Sequence, residues 1–188
     1  FCAGYDLEQV AQLSDLEKWY KELYETGRGP MGVSRMSLTK PVIGAVKGFA
    51  VAGGLEVACW CSMIVSHSDA TFGVFCRRFG VPLIDGGTVR LAPIIGINRA
   101  RDMVLTGRPV DGREAYNWGL VNYLVEQVHE VESKAIEVAR TIVVHPENCM
   151  RNDFVSTNKN YLQHSCQQFY NEFVHGTQSL SSGEASSG

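Results

Sequence analysis

The stretch KPVIGAVKGFAVAGGLEVA, residues 40–58, decides the fold. Its first part, Pro41 to Val46, is a continuous apolar and partly β-branched run, which is typical of a strand buried on both faces of a parallel sheet. The small residues that follow, from Phe49 to Gly54, predict a turn that opens a helix reaching Ala58. A buried strand, a turn and a helix in succession indicate an α/β protein.

The flanking sequence extends this pattern. A capping box at Ser14–Glu17 predicts a helix running to about Glu25. Apolar runs predict a strand over Met63–Ser66 and a short extended piece over Ala70–Gly73. Later helices are expected from Asp85 to Leu91, from Asn98 to Leu105, from Gly112 to Trp118 and from Val128 to Val144. Because the predicted strands come early in the chain and most of the helices come late, we expect an α/β core followed by a helical C-terminal layer.

Composition narrows the possible functions. The 188 residues are 45% hydrophobic and carry a net charge of −3, which is ordinary for a globular domain and lacks the basic surplus that nucleic acid or an anionic membrane requires. Six cysteines in a chain of this size indicate a reducing compartment, such as cytoplasm or mitochondrial matrix. Cys59 and Cys61 form a C-x-C rather than a zinc motif, so we interpret them as buried apolar residues and predict no metal site.

The segment Gly53-Gly54-Leu55-Glu56 carries the strongest chemical signal. The first turn of a helix offers N–H groups without helical acceptors and the positive end of the dipole, which suits a developing oxyanion. Glu56 lies three residues after Gly53 and therefore near it on the helix surface. The alternative is that the glycines permit close packing while Glu56 merely complements the dipole.

A second source of backbone N–H groups is the small-residue turn Ala3-Gly4-Tyr5-Asp6. Together and in this order, the two segments resemble the crotonase superfamily, which contains the enoyl-CoA hydratases and isomerases. Phe1 to Leu7 matches its Phe-x-Ala-Gly-x-Asp-Leu signature, and Lys40 to Glu56 matches its second signature. The resemblance continues through residues 70–73, 86–91, 103–107 and 115–121 and covers residues 1–143.

The resemblance implies a spiral of ββα units with a helical C-terminal layer that forms trimers or dimers of trimers. It also implies an acyl-CoA thioester as substrate, with no separate cofactor. The backbone N–H groups of Tyr5 and Gly53 would stabilise the thioester enolate, and Glu56 would act as the base toward water. Ala3, Gly4, Gly54 and Cys76 fall at substrate-binding positions.

The sequence departs from this family at the second catalytic glutamate, whose position holds Cys76. A thiol with an ordinary pKa near 8.5 is a poor replacement for a carboxylic acid. Asp85 is the compensating candidate, although an aspartate before a helix is also a common N-cap. Arg77, Arg78 and Arg90 are expected as exposed ion-pair partners, with contacts to CoA phosphates as the alternative.

The positions of these motifs along the chain predict three regions. Residues 1–127 form a crotonase-like core whose N-terminal strands would lie upstream, residues 128–178 form a helical region, and residues 179–188 form a flexible tail. The first functional hypothesis is an enoyl-CoA hydratase, with Glu56 as base and Asp85 or water assisting protonation. The alternatives are an enoyl-CoA isomerase of the same fold and a catalytically silent acyl-CoA-binding or scaffold homologue.

Overall fold

The computed structural model describes residues 1–6, 8, 26–161 and 165–181. The strands within these residues are β1 (Ile43–Val46), β2 (Phe49–Val51), β3 (Met63–His67), β4 (Thr71–Gly73), β5 (Val110–Asp111) and β6 (Tyr123–Val125). The helices are α1 (Gly53–Trp60), α2 (Gly87–Ile95), α3 (Ile97–Thr106), α4 (Gly112–Asn117), α5 (Glu130–Val143), α6 (Glu147–Tyr161) and α7 (Ser165–Ser181). A 3₁₀ helix spans Phe75–Phe79.

The strands form two small sheets. In the first, β1 lies parallel to β3 with Ile43 opposite Met63, and β3 lies parallel to β6. In the second, β2 lies parallel to β4 and β4 lies antiparallel to β5. The strand predicted in a parallel sheet, β1, is confirmed, as are the predicted strand β3 and the extended segment β4. The β-branched residues of β1 and β3 suit these positions because they pack well on a pleated, buried surface.

The segment Phe49–Val51 is strand β2, so the prediction of a turn there was wrong. Ala50 pairs with Phe72 on one side and forms a parallel bridge with Cys2 on the other. These tertiary hydrogen bonds outweigh the low strand propensity of alanine. The turn itself is confined to Ala52, whose φ of 52° lies in the left-handed region.

One large core joins the second sheet to the helices that follow it. Leu55, Phe72, Leu91 and Met103 are each exposed by 1% or less, and burying each such side chain is worth about 2 kcal/mol. A smaller cluster forms where Val131 and Val138 of α5 pack against the first sheet. Within the predicted helical region, α5 is therefore anchored to the first sheet.

Several element boundaries differ from the predictions. β5 and β6 were not predicted because runs of two or three residues are too short to show a period of two. Residues 179–181, expected in a flexible tail, belong to the last turn of α7. The helix predicted from Ser14 and the remainder of the tail lie outside the described residues. No helix in the described ranges has the length and apolar character needed to cross a membrane.

Candidate functional site

Glu56 is the centre of the candidate site. It projects from the first turn of α1, one turn after Gly53, and only 2% of its surface is exposed. Its Oε1 atom accepts hydrogen bonds from the backbone N–H groups of Asp85 and Gly87, both at 2.8 Å. Glu56 therefore complements the N-terminus of α2 rather than that of its own helix, and its side chain is held in a single orientation.

A second buried glutamate binds the same turn. Glu172 of α7 accepts the N–H of Gly86 on Oε2 at 2.8 Å, and Oε1 accepts the N–H of Thr88 at 3.0 Å and its Oγ1–H at 2.7 Å. Four consecutive backbone N–H groups, from residue 85 to residue 88, thus alternate between two carboxylates. Sequence reasoning missed Glu172 because no local motif connects it to a helix that begins 85 residues earlier.

Asp85 is buried in this cluster but does not cap α2, so the N-cap interpretation was wrong. The N-cap residue is Gly86, with a φ of 96° and no side-chain capping bond. Asp85 Oδ1 instead accepts the N–H of Met31 at 2.8 Å and the hydroxyl of Ser34. The physical reason is that Glu56 and Glu172 already bind the N–H groups that an N-cap would use.

The three carboxyl groups strongly affect one another's ionisation. Burial, followed by the charges of Asp85 and Glu172, holds the pKa of Glu56 well above its usual range, against the hydrogen bonds from Gly87 and Asp85 that lower it. Burial also raises the pKa values of Asp85 and Glu172. Perturbed carboxyl groups in one cluster are characteristic of catalytic sites.

Arg90 supplies positive charge beside these groups. Its guanidinium donates to the backbone oxygens of Asp85 at 3.0 Å and Ser34 at 2.6 Å. Its guanidinium carbon also lies 5.1 Å from the centre of the Phe169 ring. Arg90 is half-buried and bound to carbonyls, so the expected exposed ion pair was wrong for this residue. It connects the segment around Ser34 with the turn before α2.

Arg77 and Arg78 are exposed, as predicted, but each binds a backbone carbonyl. Arg77 donates to Val104 at 3.2 Å and Arg78 to Gly107 at 3.1 Å. The Arg78 guanidinium also lies over the Phe75 ring at 3.8 Å. Their structural partners are thus oxygens and an aromatic face rather than carboxylates.

The two predicted N–H sources are neighbours in space. Gly4 has a φ of 103°, and a Cβ atom at this position would lie 2.9 Å from the backbone nitrogen of Gly53. Only glycine allows so close an approach with this φ. Ala52, just before Gly53, is a non-glycine residue in the left-handed region, a strain that is common at functional sites. Gly53 N–H begins α1 and has no acceptor within the helix.

Three other predicted site residues have different environments. Ala3 is exposed beside the glycine turn. Gly54 packs so tightly that a Cβ would lie 2.1 Å from the carbonyl oxygen of Cys2, which gives this glycine a packing role. Cys76 is buried in the main core, and burial followed by the charge of Glu56 raises the pKa of its thiol to about 12. Cys76 is therefore near Glu56 but remains a neutral thiol.

Met31 is a further residue that sequence reasoning did not identify. A Cβ on Gly53 would lie 2.8 Å from its sulfur, so the Met31 side chain covers the start of α1. Its backbone N–H is bound to Asp85. In the described part of the chain, no three His, Cys, Asp or Glu side chains are arranged to hold a metal ion.

Comparison with known proteins gives the family context. The family model described as enoyl-CoA hydratase/isomerase matches residues 1–183. The carnitinyl-CoA dehydratase of Salmonella arizonae is 35% identical over 147 residues, covering 76% of this chain and 53% of that protein. The mevalonyl-coenzyme A hydratase of Aspergillus fumigatus is 33% identical over 142 residues, covering 76% of this chain and 51% of that protein.

A solved structure confirms the fold class over nearly the whole chain. A carnitinyl-CoA dehydratase from Mycobacterium avium superposes with a TM-score of 0.82 at 27% identity, covering 99% of this chain and 72% of that chain. The mixed α/β architecture is therefore that of the crotonase superfamily. The chain spans about half the length of the curated relatives it matches.

Proposed function

The chain belongs to the enoyl-CoA hydratase/isomerase family, and we propose on that premise that it acts as a hydratase on an enoyl-CoA thioester. The observation that carries the proposal is the buried carboxylate of Glu56, held by two backbone N–H groups one turn after Gly53. The relatives named as hydratases and dehydratases of acyl-CoA compounds support the same reaction class.

The substrate carbonyl oxygen lies between the backbone N–H groups of Tyr5 and Gly53 in this proposal. Negative charge that develops on this oxygen as the thioester becomes an enolate is stabilised by both donors and by the N-terminal end of α1. One such donor contributes about 10²–10³ in rate in other enzymes. The close approach of Gly4 to Gly53 supports this assignment because it brings the two backbone segments together.

Glu56 activates the water molecule that attacks Cβ of the substrate. Only the ionised carboxylate removes a proton, and a raised pKa makes that carboxylate a stronger base. Its Oε1 is occupied by Asp85 and Gly87 N–H, so the proposal assigns Oε2 to the water. The proton then reaches Cα through Asp85 or through water, since Cys76 keeps its proton at neutral pH.

The test follows the absorbance of the conjugated thioester as water adds. Glu56→Gln keeps the size of the side chain and removes the base, so we expect turnover to fall by about 10²–10⁴-fold. Glu137→Gln is the matched control, because this glutamate is exposed and pairs with Lys134. Unchanged turnover in Glu56→Gln would exclude the proposed role of Glu56.

Isomerisation is the second candidate function, and the environment of Cys76 favours it. With this thiol neutral and buried, the described site lacks a carboxyl group at that position, and one carboxylate is enough to move a proton between two carbons. Incubating a 3-enoyl thioester in heavy-oxygen water separates the two reactions. Label in the product excludes isomerisation as the sole activity, whereas an unlabelled shifted double bond excludes hydration.

A silent binding or scaffold role is the third candidate. It predicts thioester binding without turnover, so any turnover that Glu56→Gln removes refutes it.

We further propose that the C-terminal helices take part in trimer formation. Exposed apolar side chains support this, since Val143 and Val144 at the end of α5 are 76% and 75% exposed. Sedimentation equilibrium giving a monomer would refute the proposed trimer.

A further inference from the structure

We propose that Glu172 is a positioning residue: from α7 it holds the first turn of α2 in the conformation that directs the N–H groups of Asp85 and Gly87 at Glu56. The inference deepens the proposed function, because it rests on Glu56 being the base. It also assigns a role in the site to a helix near the C-terminal end of the described residues, far in sequence from both glycine motifs.

The alternation of hydrogen bonds is the first support. Glu56 binds the N–H groups of residues 85 and 87, and Glu172 binds those of residues 86 and 88. Successive N–H groups at this turn therefore point in different directions, each toward a carboxylate. Without Glu172, the buried N–H of Gly86 loses its acceptor. Because a buried N–H group without an acceptor is unfavourable, we expect the turn to rotate until this group finds another one. Such a rotation would also misalign the N–H groups that orient Glu56.

The packing of α7 is the second support. Phe169, Glu172 and Gly176 are spaced by three and four residues and share one face of the helix. The Phe169 ring lies near the guanidinium groups of Arg35 and Arg90, at 5.4 and 5.1 Å. At Gly176 a Cβ would lie 2.4 Å from Ile84 Cγ2, so the helix rests directly on the segment before the turn. These contacts fix Glu172 in place from both sides along the helix.

Charge gives the inference a measurable consequence. Glu172 and Glu56 share one helix N-terminus, and a like charge raises the pKa of a neighbouring carboxyl group. Removing the Glu172 charge therefore lowers the pKa of Glu56, whereas misaligning the N–H groups of Asp85 and Gly87 raises it, because their hydrogen bonds lower it. The other titratable or charged groups around the pair are Asp85, Arg35, Arg90, Cys59, Cys76, Arg77 and His175. All of them are retained when Glu172 alone is changed.

The experiment measures the pKa of Glu56 directly by carbon-13 NMR of its side-chain carboxyl group, with the resonance assigned by its loss in Glu56→Gln. In Glu172→Gln, whose amide oxygen still accepts a hydrogen bond from the turn, we expect this pKa to fall by about one unit. The acid limb of the pH profile of kcat should fall by the same amount. Glu137→Gln, the same change at an exposed residue, should leave the Glu56 pKa unchanged.

A second variant separates orientation from charge. Glu172→Ala removes the acceptor for the turn as well as the charge, so we expect the Glu56 pKa to lie above its value in Glu172→Gln and kcat to fall further. Equal Glu56 pKa and kcat values in Glu172→Ala and Glu172→Gln would overturn the inference. A difference between the two pKa values in a protein without turnover would retain the role of Glu172 in orienting Glu56 and reject the proposed hydratase function, so the two failures are distinguishable.

Discussion

Substituting Gly87 by alanine displaces the Glu56 carboxylate while leaving every polar group of the site in place. Gly87 does not have a positive φ, so alanine is compatible with its backbone conformation. The added Cβ would lie 2.9 Å from Glu56 Oε1, 3.0 Å from Glu56 Cγ and 3.0 Å from Leu83 Cδ1. Ordinary contacts begin near about 3.5 Å, so the Glu56 side chain has to move by several tenths of an ångström.

The expected magnitude follows from these contacts. A catalytic group displaced by about 1 Å costs about 10²-fold in rate, so kcat of Gly87→Ala should fall by roughly 10-fold to 10²-fold. Overpacking costs about 1–3 kcal/mol, and replacing a helical glycine by alanine returns about 0.5–1 kcal/mol. The net loss of unfolding free energy is therefore about 0–2.5 kcal/mol, which leaves the protein folded.

The assay compares kcat and Tm of Gly87→Ala with those of Gly44→Ala. Gly44 is also tightly packed, with a Cβ position 3.2 Å from Cys61 Sγ, but it lies in β1 away from the carboxylates. We expect both variants to lose some stability and only Gly87→Ala to lose turnover. A kcat in Gly87→Ala within about twofold of that of the unsubstituted protein would refute the idea that the contact with α2 sets the position of Glu56.

Three further measurements test other parts of the site. The acid limb of the pH profile of kcat should lie well above about 4.3, the ordinary glutamate pKa, because burial and like charges favour protonated Glu56; a limb at the ordinary value would contradict this. Gly4→Ala should lower kcat by about 10²-fold, because its Cβ would lie 2.9 Å from Gly53 N, and normal kinetics would exclude the glycine turn from the site. Thiol alkylation at pH 8 should modify exposed Cys149 and spare Cys76, with its pKa of about 12; equal reactivity would contradict the buried thiol.

Elements that depend on local patterns were predictable from the sequence. The apolar run before Val46 predicted β1, and the glycine pair at the start of α1 predicted both a helix and the position of Glu56. Both signals lie within a few residues of the feature they specify. Strand β2 was not predictable in this way, because its pairing with Cys2 on one side and Phe72 on the other depends on distant residues.

The carboxylate cluster shows the same limit more sharply. Asp85 before two glycines has the sequence of an N-cap, yet its side chain binds Met31 and Ser34. Glu172 takes its place at the helix N-terminus: this glutamate lies 84 residues after Thr88 in the sequence and accepts the N–H of Thr88. A local motif predicts the cap of a helix only when every side chain that competes for the helix N-terminus is close in sequence. Here two of the competitors, Glu56 and Glu172, come from other helices.

The same competition bears on the absence of a carboxyl group at position 76. Two glutamates already share the positive end of α2, and both their pKa values are raised by burial. A further carboxylate, at buried Cys76, would add like charge with no free N–H group of that turn to bind. The neutral thiol of Cys76 adds no negative charge, so Glu56 ionises at a lower pH than it would beside another carboxylate. In the proposed hydration Glu56 therefore serves as the base, and the acid that restores the proton is Asp85 or water.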